Sequence, residues 1–118
     1  MVTICHLTTE HKRNDIRIFY KECRSLSNSG YDVFLIIGDD KGEEIADSIK
    51  IFDVGEGKLY KSHNLISKTK KRIGLISRIK KKAIELDCDV YHFHDPDLIL
   101  CGLFLKKKGK KVIIDMHE

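Results

Sequence analysis

Asp89-Val90-Tyr91-His92-Phe93-His94-Asp95-Pro96-Asp97 is the stretch on which the fold turns. Residues 89–93 read as a short buried strand, and the next two bring imidazole and carboxylate to its end. Pro96 suits the first turn of a helix, where its fixed φ helps and its missing N–H costs nothing. Open α/β sheets bind ligands at such edges, because strand-end side chains and helix N-termini converge there. Alternation along the strand puts Val90, His92 and His94 on one side and Tyr91 and Phe93 on the other.

Upstream, residues 72–86 carry Ile76, Ile79, Ala83 and Leu86 on one helical face, with Ile73 in support and lysines opposite. The segment before it, 58–71, reads as a loop or an extra helical turn. Downstream, residues 97–107 are apolar on most of the helical circumference, which predicts a heavily buried helix in which Gly102 admits a close neighbour. A further strand over 111–115 ends in Met116-His117-Glu118.

Toward the N-terminus, residues 2–7 form a short apolar run and 8–15 a polar loop. Ile16, Phe19, Cys23 and Leu26 then share one face of a helix that Gly30 closes. Residues 32–37 are continuously apolar, as in a strand buried on both faces, and 49–54 alternate as in a strand nearer an edge. This alternation predicts an α/β fold with a doubly wound, mainly parallel sheet and helices on both faces. In it the first and fourth strands are neighbours.

A chain of 118 residues makes one domain with a real core. Its 34% of charged residues exceeds the average of about 25%, and no run approaches the roughly 20 apolar residues of a membrane span. The opening lacks the pattern of a signal peptide, so a cytoplasmic location is expected. Cys5, Cys23, Cys88 and Cys101 are scattered without a C-x-x-C pair and read as free buried thiols. The net charge of +4 hides a band at 58–82 with ten Lys and Arg and no acid, so the other residues together carry −6. That band is either a solvated helix face or a surface for anionic lipid. It has neither the aromatic interleaving nor a reading motif of a nucleic-acid binder. No covering helix follows the last strand, which is the expectation for a piece of a longer protein.

His92 lies within its strand and reads as a core histidine, whereas His94 sits at the tip and can reach a ligand. Asp95 is divided between capping the next helix and binding. The three invite a metal reading, but adjacent strand positions diverge and no further ligand pattern is evident, so no metal is expected. The first loop supplies His11, Arg13 and Asp15, with Arg17 after them, facing His94 across the crevice or simply solvated. There is no G-x-G-x-x-G and no P-loop.

The spaced motifs Ile4-Cys5-His6-Leu7-Thr8 with His11-x-Arg13-x-Asp15-x-Arg17-Ile18, then Tyr91 through Leu98, then Ile113 through Glu118, resemble the N-terminal domain of family 4 glycosyltransferases. The resemblance implies one Rossmann-like half of a GT-B fold in a retaining enzyme, with an acceptor-side N-terminal domain and a C-terminal domain that binds the donor. It implies a catalytic role for His94 near the transferred sugar, and substrate binding by His11, Arg13, Asp15, Asp95, His117 and Glu118. No cofactor is implied, since the nucleotide-sugar is the donor substrate. The acceptor would be a saccharide or a lipid-linked saccharide in cell-surface polysaccharide synthesis, with 58–82 against the inner face of the plasma membrane. The chain departs from the family in ending before the donor-binding domain and in having no glycine in its first loop. Residues 1–118 alone are therefore expected to be inactive. The rival expectation is a non-catalytic, flavodoxin-like ligand-binding or regulatory module.

Overall fold

The computed structural model describes residues 2–9, 22–55 and 65–115. Their strands are β1 (Thr3–Leu7), β2 (Asp32–Ile37), β3 (Glu44–Ala46), β4 (Ile49–Asp53), β5 (Val90–Phe93) and β6 (Lys111–Ile114), ordered β3-β4-β2-β1-β5-β6 in one sheet. All neighbours are parallel except β3, which pairs antiparallel with β4. The chain leaves β1 for β2 and β4 on one side and returns to β5 on the other. Strand order therefore reverses between β1 and β5, where His6 pairs with His92. This is the switch point at which such sheets place their ligand crevice.

The helices are α1 (Arg24–Asn28), α2 (Leu65–Leu86) and α3 (Ile99–Lys107), the last entered through a 3₁₀ turn at Pro96–Leu98. Two cores follow from the alternation of the strands. On one face Cys5, Leu7, Phe34, Ile36, Tyr91 and Phe93 pack with Leu75, Ile79 and Ala83 of α2 and Cys101 and Leu105 of α3. On the other, Val33, Leu35, Ile37, Ile49 and Ile51 pack with Cys23 and Leu26. Tyr91 locks the first core: its buried hydroxyl donates to the Ala83 carbonyl at 2.6 Å and accepts the Cys88 N–H at 2.8 Å. Gly102 lets α3 approach the sheet, since a Cβ there would stand 3.3 Å from both Phe93 and Val112 side chains. The four cysteines are free and buried, as expected. Burial pushes the Cys23 thiol up to about 12 and the Cys101 thiol up to about 11, so neither is a ready nucleophile.

The sequence reading erred in three places. It missed β3, a three-residue edge strand whose side chains are largely exposed and therefore leave no apolar pattern. It began α2 too late: the helix starts at Leu65 and runs through Gly74, because Leu, Ile, Lys and Arg sustain a helix beyond the part that needs a core. Finally, Ile73 is 61% exposed, and Leu75, in step with Ile79 and Ala83, takes the inward place. Residues 15–21 of the helix expected over 15–29 lie outside the described residues, and α1 lies within its second half.

Candidate functional site

Two polar groupings lie at the carboxyl edge of the sheet. The first is built on the switch point. His6 of β1, His92 of β5 and His94 just beyond it point to the α1 side, where Glu22 approaches them from ahead of α1. His6 Nδ1 and His94 Nε2 are 2.8 Å apart and share a hydrogen bond. Glu22 Oε2 is 3.4 Å from His94 Nε2 and 3.8 Å from His6 Nδ1. The rings of His92 and His94 stack with centroids 4.3 Å apart, and Asp115 Oδ2 lies 3.7 Å from His92 Nε2. Burial, reinforced by the charge His92 would carry, depresses the pKa of His6 to about 3, so its imidazole is neutral at any ordinary pH.

The same edge is stitched across β1 and β5 by hydroxyl and carboxylate groups. Asp95, 2% exposed, accepts hydrogen bonds from the Thr8 hydroxyl and from the Thr9 N–H at 2.9 Å. Its carboxylate makes no capping bond to the turn that follows. Thr9 Oγ1 donates to Asp97 at 2.8 Å, and Arg72 Nη1 lies 3.3 Å from Asp97 Oδ2. Further along the edge, Asp53 accepts backbone N–H groups from Asp39, Asp40, Gly42 and Gly55. Partial burial raises its pKa, but these four donors together hold the carboxyl below its usual range.

The second grouping surrounds a cavity of about 500 Å³ on the α2 side of the edge, lined by Thr9, Gly38, Lys68, Thr69, Lys71, Arg72, Ile73 and Leu75. Arg72 is committed to Asp97, whereas the ammonium groups of Lys68 and Lys71 make no ion pair or hydrogen bond among the described residues. The basic band is thus divided. Arg78 is absorbed by the Val54 and Gly55 carbonyls at 2.9 Å each, and Lys80 and Lys82 lie over Phe104 and Phe52. Lys68 and Lys71 of the band line the cavity. Such a ring of cations suits a phosphate or another oxyanion. Among the described residues, no helix is long and apolar enough to cross a membrane.

Of the sequence-predicted site residues, His94 stands at the expected strand end but is 0% exposed, and Asp95 is turned toward β1. His11, Arg13, Asp15, His117 and Glu118 lie outside the described residues. The sequence reading missed Glu22 and gave His6 no role of its own, and it had Lys68 and Lys71 only as part of the basic band, without a cavity. Pairing of β1 with β5 would have put His6 beside His92, and that was the one available signal.

No protein-family model matches the chain, and no curated protein matches it in sequence. Solved structures do. The C-terminal domain of a hydrogenase from Pyrococcus furiosus superposes with a TM-score of 0.67 at 17% identity, over 97% of this chain and 91% of that one. The glycotransferase of kitacinnamycin superposes with a TM-score of 0.61 at 14% identity, over 98% of this chain. The fold is Rossmann-like. The chain spans 30% of the length of the glycotransferase and nearly all of the hydrogenase domain. At these identities the likeness speaks for the fold alone.

Proposed function

We propose that this chain is the N-terminal, acceptor-side domain of a retaining family 4 glycosyltransferase, which transfers a sugar from a nucleotide-sugar to a saccharide or lipid-linked acceptor. The observation that carries the reading is the cavity at the carboxyl edge, where Lys68 and Lys71 face a space large enough for a phosphorylated headgroup. A lipid-linked acceptor brings phosphate to that position, and the ammonium groups of Lys68 and Lys71 would hold it by charge-assisted hydrogen bonds. The adjoining surface of α2, with Lys70 among its cations, would rest on anionic headgroups at the inner face of the plasma membrane. His94 would contact the transferred sugar, with Asp95 and the residues at 11, 13, 15, 117 and 118 completing the cleft. Because His94 is fully buried, that contact requires the packing over its ring to open.

The burial of His94 favours a second reading, a non-catalytic Rossmann-like binding module in which the histidines are structural. One experiment separates them. The longest native chain containing these residues is incubated with a panel of nucleotide-sugars and a short-chain prenyl phosphate, and the anomeric configuration of any product is read by NMR. Transfer with retention, lowered at least about tenfold by Lys68→Ala with Lys71→Ala, which corresponds to about 1.4 kcal/mol of lost binding, supports the transferase. Prenyl phosphate binding without transfer from any donor leaves the module. Absence of both overturns the acceptor assignment.

A further inference from the structure

We propose that His6, His92, His94 and Glu22 form a binding site for one divalent first-row transition metal ion, of the zinc and cobalt class. This goes beyond the glycosyltransferase reading and stands or falls without it. The four residues each offer a ligand atom within 4.8 Å of every other. Tetrahedral coordination at roughly 2.0–2.1 Å from each donor puts ligand atoms about 3.3 Å apart. The separation of His94 Nε2 from Glu22 Oε2, at 3.4 Å, already has that value, and His6 Nδ1 to Glu22 Oε2, at 3.8 Å, is near it. The 2.8 Å between His6 Nδ1 and His94 Nε2 is the contact that must widen, by roughly half an ångström, to admit the ion.

Three imidazoles and one carboxylate are the donors that borderline divalent cations favour over calcium or magnesium. The ligands also come from rigid positions. His6 and His92 are register partners in the centre of the sheet, and His94 extends the same face by two residues. Glu22 comes from the segment ahead of α1, and its side chain is the more open to solvent, which provides an entry side. Asp115, close to His92, adds negative charge at the rim and would help to compensate the cation. Nothing in the basic cavity competes for this role, since its cations repel a metal and lie on the other face of the sheet.

The test uses the 118-residue chain freed of metal with a chelator and then titrated with Co²⁺, followed by its visible ligand-field absorption. One equivalent per chain is expected, with Zn²⁺ displacing it. His92→Gln and Glu22→Gln are the variants of choice, since these side chains are less buried than His6 and His94. Each should weaken Co²⁺ by more than the roughly 10–100-fold that loss of an outer-sphere partner costs. Failure of the wild-type chain to bind, or equal binding by both folded variants, overturns the site. If the variants do not fold, ring-nitrogen NMR of the wild-type chain decides. Zn²⁺ must then shift His6, His92 and His94, and shifts confined to His11, His63 or His117 overturn it.

Discussion

Lowering the pH from 7 to 5 removes about 2 kcal/mol of stability through His6 alone. In the folded chain burial, with a further push from His92, holds this imidazole at a pKa of about 3. In the unfolded chain it titrates near 6.5. Between these values the unfolded state takes up a proton that the folded state refuses. Stability is therefore complete above about pH 6.5 and is lost as the pH falls toward 3. At pH 5 the unfolded state gains RT ln(1 + 10^1.5), about 2 kcal/mol. With about 2.1 cal/mol/K of unfolding entropy per residue, a chain of this length melts about 8 °C lower.

The groups facing His6 set the terms of that test. His92 and His94 come from β5 and its end, Glu22 from ahead of α1, and Asp115 stands behind His92. Among the described residues, Glu22, 3.8 Å from Nδ1, is the neighbour that could reverse the sign by welcoming an imidazolium. Urea melts of metal-free wild-type chain and His6→Asn from pH 7 to 5 measure the balance, because Asn can keep a polar atom opposite His94 but takes up no proton. The variant should show a pH dependence flatter by about 2 kcal/mol. Parallel profiles would mean that His6 protonates inside the fold, and would refute the argument from burial.

Tyr91→Phe removes a buried hydroxyl that serves one acceptor and one donor, the Ala83 carbonyl and the Cys88 N–H. Both are left without it, and the chain should lose roughly 1–3 kcal/mol in a urea melt without a change in the far-UV spectrum. Gly38→Ala would set a methyl 2.5 Å from Leu75 Cδ1 and 2.7 Å from the Gly55 carbonyl oxygen. The leucine can turn away but the carbonyl cannot, so a loss of roughly 1–3 kcal/mol in the same assay is expected.

Much of this was legible in the sequence. The continuous apolar run Val33 to Ile37 announced a strand buried on both faces, and alternation correctly sent Tyr91 and Phe93 inward together. Periodicity found the register of α2 at Ile79 and Ala83, yet exchanged Ile73 for Leu75, because both are apolar and only the sheet decides which of them meets Phe34 and Ile36. The histidine cluster was half visible. His92 and His94 are two residues apart and so share a face, but His6 lies some 90 positions away and Glu22 is an ordinary surface residue in its own segment. Side chains gathered by strand pairing leave no local spacing, which is why the metal reading found too few ligands.

The polar residues that looked most functional in the sequence are largely occupied with one another. Asp95 is held by Thr8 and Thr9, Asp97 by Thr9 and Arg72, and His94 by His6. These bonds join the ends of β1 and β5 and close the sheet edge at its switch point. Lys68 and Lys71, in a band that sequence alone could assign equally to solvent, have no ion-pair partner among the described residues and stand beside an open cavity. The carboxylates of Asp95 and Asp97, already held by hydroxyl, N–H and guanidinium donors, have little left to offer a ligand, whereas solvated cations release water and bind oxyanions at small cost. In the transferase proposed above, first contact with the acceptor phosphate would fall to α2, and the strand tips would act only after the edge had opened around it.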